Sequence, residues 1–332
     1  MRDISNYSYV FFTNGQDYWN YMLQDIAAMQ NVTIVGDAVA SLPYLVRQLH
    51  RFHYHQLFNR FFEIPFKGVW NHLYYDDNNP DYHKPKCFVF MMTWIRKDKE
   101  CFFRYLKEKF PNSKFVLYLE DVISSRKEGD FCFRLVDEYF DLAISFDEGD
   151  AKKYGYKYYP TFISSFMLPE DNNIPHSDLF YCGAPKKRLD MILKAYGWAK
   201  NSGLNVDFCI AKMQNIKVIN GFDGIQCISG LWSYDTYLKH MNKTSCILEV
   251  MQENASGYTL RTWEALMFDK KLITNNKNII NASFYNENQF IYFEDINSIT
   301  SDILRRTFLP CSIEEKKKYS PINLLYFIND NL

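Results

Sequence analysis

The chain has 332 residues, 47% of them hydrophobic, and 38 Lys and Arg stand against 39 Asp and Glu for a formal net charge of −1. That length exceeds what one core usually holds and argues for two domains of about 150 residues each. The balanced charge gives no overall basic field, which excludes nucleic acid as an expected partner. The 8 cysteines, without a Cys-x-x-Cys pair, fit neither a disulfide framework nor a zinc cluster.

In chain order, residues 9–12 form an apolar run closed by Thr13-Asn14-Gly15, and Trp19, Met22, Leu23 and Ile26 follow at helix spacing. A second strand is expected at 32–35, closed by Gly36-Asp37, and the helix after it carries Leu45, Val46, Leu49 and Phe52 on one side. Runs at 88–91 and 115–119 bracket a helix with Phe102, Tyr105 and Leu106, and 142–145 is a further strand. Strands separated by helices of this length pair in parallel through right-handed crossovers. This predicts an α/β fold, a doubly wound parallel sheet with its ligand crevice at the strand C-terminal ends.

The pattern loosens at 160–177, where Pro169-Glu170-Asp171-Asn172-Asn173-Ile174-Pro175 supplies turn formers and little to bury, and a hinge is placed there. A second alternating set follows, with strands at 179–182, 206–210 and 225–228 and helices at 188–200 and around 234–241. The expected domains are therefore 1–168 and 169–312, with a partly helical segment at 313–332. Cys87, Cys182, Cys209 and Cys246 sit inside apolar runs and read as buried thiols. The start, Met1-Arg2-Asp3-Ile4-Ser5-Asn6, lacks the apolar stretch of a signal peptide, and no run approaches a membrane span, so a reducing cytoplasm is expected.

Residues 245–276 read as strand, glycine loop, helix and strand: Cys246 to Val250 is apolar, Gly257 breaks the chain, Leu260, Trp263 and Met267 recur at helical spacing, and Leu272-Ile273 begins another run. Free N–H groups at a helix start attract anions, so a diphosphate near Gly257, Tyr258, Thr259 and Leu260 meets both those donors and the Arg261 guanidinium. Glu264, three residues on, can accept from ribose hydroxyls. The alternative is a surface Arg261–Glu264 pair on an ordinary helix. Tyr181-Cys182-Gly183-Ala184-Pro185-Lys186-Lys187-Arg188 has a strand ending in glycine, which lets a ligand approach the backbone, and Lys187 or Arg188 can neutralise a diphosphate. Its rival reading is a solvated helix start.

The stretches Gly257-Tyr258-Thr259-Leu260-Arg261, Glu264-Ala265-Leu266 and Lys270-Lys271-Leu272-Ile273-Thr274-Asn275-Asn276 resemble the C-terminal half of GT-B glycosyltransferases, particularly bacterial enzymes that build lipopolysaccharide or capsule. The resemblance implies two Rossmann-like domains facing across a cleft, a terminal helix crossing back onto the first, and a sugar moved from a nucleotide diphosphate to a hydroxyl of a surface glycan or lipid-linked acceptor. The turn at Gly183, Lys187 and Arg188 resembles the family's first strand-to-helix turn, and the stretch from Ile228 through Trp232 occupies the place where the base docks. Many retaining members carry two glutamates eight positions apart here. Glu264 resembles the second, Ser256 stands at the place of the first with Glu253 nearby, and retention versus inversion stays open.

The base that takes the acceptor proton is expected at strand ends of the first domain, where Asp121, Asp147 and Asp17 are candidates; a helix cap or a solvated loop position is the competing role for each. No Asp-x-Asp triplet occurs, so a mechanism without metal or other cofactor is expected, with basic side chains meeting the leaving diphosphate. His50 and His53 share a helix face but two ligands make no closed metal site. Lys316-Lys317-Lys318 is weighed as a peripheral contact with the inner membrane surface against a solvated helix face beside Glu314 and Glu315. A nucleotide-sugar epimerase of the same fold and a non-enzymatic two-lobed binding protein are the rival functions.

Overall fold

A computed structural model describes residues 4–55, 59, 64–75, 84–123, 131–213, 222, 224–252 and 257–332; Glu253 and Ser256 lie outside these. The chain divides into two compact units, residues 1–160 with 321–332, and residues 161–320. Each holds one six-stranded sheet, and all pairings within both sheets are parallel.

The first unit contains β1 (Ser8–Phe12), β2 (Val32–Val35), β3 (Lys86–Met91), β4 (Lys114–Leu119), β5 (Leu142–Ser145) and β6 (Lys157–Tyr158), in the order β2-β1-β3-β4-β5-β6. Helices cover both faces of such a sheet, so its middle strands read as unbroken apolar runs, and every residue of β1 and β3 is buried. The core between the sheet and helix Glu100–Lys109 is made largely of phenylalanine: Phe12 stacks on Phe90 at 4.6 Å, and Phe102 meets Phe12 edge-on at 5.4 Å. The last helix, Pro321–Asn331, belongs to this unit; Phe327 packs 4.9 Å from Tyr159, and Leu324, Leu325 and Ile328 are fully buried.

The second unit contains β7 (Leu179–Gly183), β8 (Val206–Ala211), β9 (Ile225–Ile228), β10 (Cys246–Glu249), β11 (Lys271–Thr274) and β12 (Phe290–Tyr292), in the order β12-β11-β10-β7-β8-β9. From β7 the chain first winds outward through β8 and β9, then returns to the other side of β7 with β10. The direction of winding therefore reverses between β7 and β10, where the loops at the strand C-terminal ends separate and leave a crevice. Residues 161–176, which precede β7, carry no helix or strand and are tied to this unit, with Ile163 N–H donating to Tyr319 O at 2.9 Å and Phe166 packing on Phe268 at 4.8 Å.

All 8 cysteines are free thiols. His50 Nε2 lies 2.5 Å from the Tyr74 hydroxyl, and His53 Nδ1 accepts from Trp70 Nε1 at 2.8 Å, so both histidines have partners other than a metal. Lys316 pairs with Asp269, Lys317 with Glu314 and Lys318 with Glu315. Among the described residues no helix is long and apolar enough to cross a membrane.

Candidate functional site

The end of β7 and the helix Leu260–Met267 after β10 converge at this reversal. Thr259 caps the helix, its hydroxyl accepting from Arg261 N–H at 3.2 Å. All six residues from Thr262 to Met267 are buried, the large apolar ones contributing about 1.5–3 kcal/mol each. Arg261 leaves the helix toward β7. There Nη2 of Arg261 donates to the carbonyl of Cys182, and its guanidinium lies over the Tyr181 ring, 5.5 Å from the centroid.

Gly183 makes room for this. A Cβ built on it would stand 2.8 Å from Arg261 Nη2 and 3.5 Å from the Tyr181 hydroxyl. The Tyr181 hydroxyl and Nε of Arg261 are both buried without a hydrogen-bond partner, which is uncommon for polar atoms unless a bound group completes the site. Arg188 closes another side, donating through Nη2 to Ala184 O at 2.8 Å, through Nε to Pro185 O at 3.3 Å and through Nη1 to Val250 O. Burial pushes Arg188 below its ordinary pKa; Tyr181 and Glu249 oppose this and the charge of Arg261 adds to it. Two guanidinium groups that repel one another beside orphaned polar atoms have the chemistry to receive an anion.

Glu264 differs from expectation. Only 1% of it is exposed, and its two oxygens accept from the Tyr234 and Tyr237 hydroxyls, each at 2.6 Å. The carboxylate is therefore not a free acceptor: any further donor has to replace a tyrosine hydroxyl. Burial pushes the Glu264 carboxyl up, against the two hydroxyls and Arg261. The folded chain then holds this proton more tightly than the unfolded chain. Its contribution to stability is full at low pH and is lost as pH rises from the ordinary carboxylate range through the raised folded value. Glu264→Gln is expected to flatten that decline; parallel denaturation-midpoint curves for the two chains between about pH 4 and 8 would refute it.

Among the other expected donor-side residues, Tyr258 donates its hydroxyl to Asn278 O at 3.2 Å, and Gly257 O accepts from Asn276 Nδ2 at 3.1 Å. Lys187 is exposed, while Lys186 reaches Gln252 at 2.9 Å. Ile228 ends β9 with its carbonyl accepting from Met213 N–H at 3.1 Å, and Trp232 stacks on His240 at 4.2 Å, whose ring is held by Asp207 at 2.6 Å.

In the first unit, Asp121 follows β4 and accepts from Val122 N–H at 3.0 Å. Asp147 follows β5, is buried, and caps helix Glu148–Tyr154 by accepting from Asp150 N–H at 2.9 Å. The Asp150 carboxyl is pushed up by burial first, the bond it accepts from Ile123 N–H at 2.7 Å opposing this and the charges of Asp147 and Asp121 adding to it. Asp17 is exposed before helix Tyr18–Met22.

Sequence reading passed over Glu249. This last residue of β10 is wholly buried, and it accepts from the hydroxyls of Thr259, Thr262 and Thr274. The available signal was a charged residue inside the apolar run Cys246-Ile247-Leu248-Glu249-Val250, a position where carboxylates are rare unless paired.

No family model and no curated protein matches the sequence. Solved structures do. An alpha-glucosyltransferase in complex with UDP and a 13-mer DNA containing a central A:G mismatch is 12% identical with a TM-score of 0.54, over 96% of this chain and 91% of that one. An alpha-glucosyltransferase with UDP and a 13-mer DNA containing a HMU base is 11% identical with a TM-score of 0.53, over the same shares. The fold is therefore of the GT-B type, with two Rossmann-like parallel-sheet domains. The exclusion of nucleic acid is corrected by the same finding. Both glucosyltransferase structures hold DNA, so a net charge of −1 on a chain of this fold does not rule out such a partner.

Proposed function

We propose that the chain is a glycosyltransferase that moves a sugar from a nucleotide diphosphate donor to a hydroxyl of a bacterial surface glycan, free or lipid-linked, at the cytoplasmic face of the membrane. The observation that carries the donor half is the convergence of Arg261 and the orphaned Tyr181 hydroxyl over Gly183, with Arg188 held on the adjoining Ala184 and Val250 carbonyls, at the reversal of a GT-B-type sheet. As the bond from the anomeric carbon to phosphate breaks, charge develops on the diphosphate, and fixed guanidinium groups stabilise it without a metal. Thr259 and Tyr258 shape the helix start, Lys187 adds charge at the rim, Glu264 takes a ribose hydroxyl in exchange for a tyrosine, and Ile228 borders the base. The acceptor oxygen forms the new bond and gives its proton to a carboxylate of the first unit. Asp121 is the proposed base, with Asp147 and Asp17 as alternatives, and Asp147's capping role counts against it.

The resemblance of the Gly257 to Asn276 segment to lipopolysaccharide and capsule enzymes supports a glycan acceptor. The DNA in the glucosyltransferase structures favours a second reading, a hydroxyl carried by nucleic acid. A thermal-shift panel of UDP, GDP, ADP and CMP sugars, followed by product analysis with oligosaccharide, with duplex DNA and with no acceptor, tests both. A diphosphate donor that transfers to oligosaccharide is the expected result. Transfer to DNA selects the second reading, sugar isomerised without acceptor selects an epimerase, and ligand binding without turnover selects a two-lobed binding protein.

A further inference from the structure

Glu249 has no access to solvent, and removing a carboxylate from water costs several kcal/mol unless donors surround it. Its donors come from three places in the chain. Thr259 Oγ and Thr262 Oγ, the second at 3.1 Å, donate to Oε1 from the cap and first turn of helix Leu260–Met267; Thr274 Oγ donates to Oε2 from the end of β11. Two of these hydroxyls are relays. Thr259 Oγ accepts from Arg261 N–H at 3.2 Å, and Thr274 Oγ accepts from Asn276 N–H at 2.9 Å. The asparagines beside Thr274 grip both ends of the intervening loop, Asn275 Oδ1 accepting from Met251 N–H at 2.7 Å and Asn276 Nδ2 donating to Gly257 O at 3.1 Å. The charge of Glu249 is also felt by both Arg188 and Arg261.

We propose that Glu249 is the positioning residue of the diphosphate site: through Thr259, Thr262 and Thr274 it locks the first turn of helix Leu260–Met267 to the end of β11, holding Arg261 and the helix-start N–H groups in place before the donor arrives. This rests on the donor reading given above. Three hydroxyls converge on two oxygens, and only a carboxylate accepts them all. A glutamine keeps Oε1 for Thr259 and Thr262 but turns an NH2 toward Thr274, whose oxygen then faces two donors while its own hydrogen has no acceptor. Placement of the helix start and of Arg261 suffers while the bulk of the side chain stays. On the donor reading the diphosphate meets these groups and the nucleoside does not, so the loss falls on diphosphate recognition.

The test is calorimetric titration of UDP and of uridine into the full chain and into Glu249→Gln, Thr259→Val, Thr259→Ser, Thr274→Val and the Glu249→Gln/Thr274→Val double variant, with thermal midpoints alongside. Glu249→Gln and Thr259→Val are each expected to weaken UDP about tenfold and uridine less than about twofold, the size of one or two lost charge-assisted bonds. Thr259→Ser, which keeps the hydroxyl, restores what Thr259→Val loses, and the Glu249→Gln/Thr274→Val double variant is no weaker than the poorer of its two singles, since both act through the contact between Thr274 Oγ and Oε2. Equal loss of UDP and uridine with a lowered midpoint, additive losses in the double variant, or unchanged or tighter UDP binding in Glu249→Gln would each overturn the positioning role. If Glu249→Gln fails to fold, the contrast between Thr259→Ser and Thr259→Val still decides. An unmodified chain that binds no nucleoside diphosphate overturns the donor reading and this one with it, an outcome distinct from all the others.

Discussion

Arg261→Ala is expected to weaken UDP binding by about 10- to 150-fold while leaving uridine within about threefold, because a charged hydrogen bond to an anion contributes about 1.5–3 kcal/mol and the nucleoside carries no such charge. The side chain already sits against the Cys182 carbonyl and the Tyr181 face, so it loses little freedom when the anion arrives. Its removal also takes away a cation that both Glu249 and Glu264 face, so part of the change appears as lost stability. Arg261→Lys separates the two effects, since it keeps the charge but loses the planar fork. The lysine variant should recover most of the thermal midpoint and only part of the UDP affinity. Calorimetry that finds UDP and uridine weakened alike in Arg261→Ala would reject a phosphate role for this residue.

Much of this architecture was legible because a parallel sheet covered on both faces writes its strands as unbroken apolar runs. The runs at 88–91 and 115–119 fall within β3 and β4, and 142–145 coincides with β5. The elements that escaped have no such run. β6 is two exposed residues, Lys157 and Tyr158, and β12 is three residues long. Helix Glu148–Tyr154 offers no apolar stripe; its clearest sequence mark is Asp147, and that aspartate had been weighed as a catalytic base as well as a cap. In the site, Gly183 and Arg261 were each read as facing phosphate from their own local patterns, 78 positions apart by subtraction of 183 from 261. That a Cβ at position 183 would meet the Arg261 guanidinium follows only from the adjacency of β7 and β10. Glu249 was invisible for the same reason, since its need is met by hydroxyls as much as 25 residues away. The tyrosines on Glu264 likewise lie 30 and 27 positions upstream, and nothing in a three-residue spacing announces them.

Gly183→Ala turns that adjacency into a measurement. The added methyl would stand 2.8 Å from Arg261 Nη2, closer than packed atoms tolerate, while its next nearest neighbour is the Tyr181 hydroxyl at 3.5 Å, an ordinary contact. The atom that has to move is therefore the far end of a flexible side chain. The backbone stays, and thermal stability should change by no more than about 1.5–3 kcal/mol, the contribution of the one charge-assisted hydrogen bond to Cys182 O. Function should not be spared so lightly. Displacing the guanidinium withdraws a preset phosphate contact and places a methyl where the anion approaches the β7 backbone, so UDP affinity is expected to fall about tenfold or more with uridine nearly unchanged. The decisive quantity is the coupling. If Gly183 serves only to admit Arg261, the Gly183→Ala/Arg261→Ala double variant binds UDP no more weakly than Arg261→Ala alone, because the methyl then has nothing to displace. Losses that add would show instead that the glycine contacts the ligand in its own right. A Gly183→Ala chain with unaltered UDP affinity would show that the guanidinium position over β7 is not the one in which the donor is held.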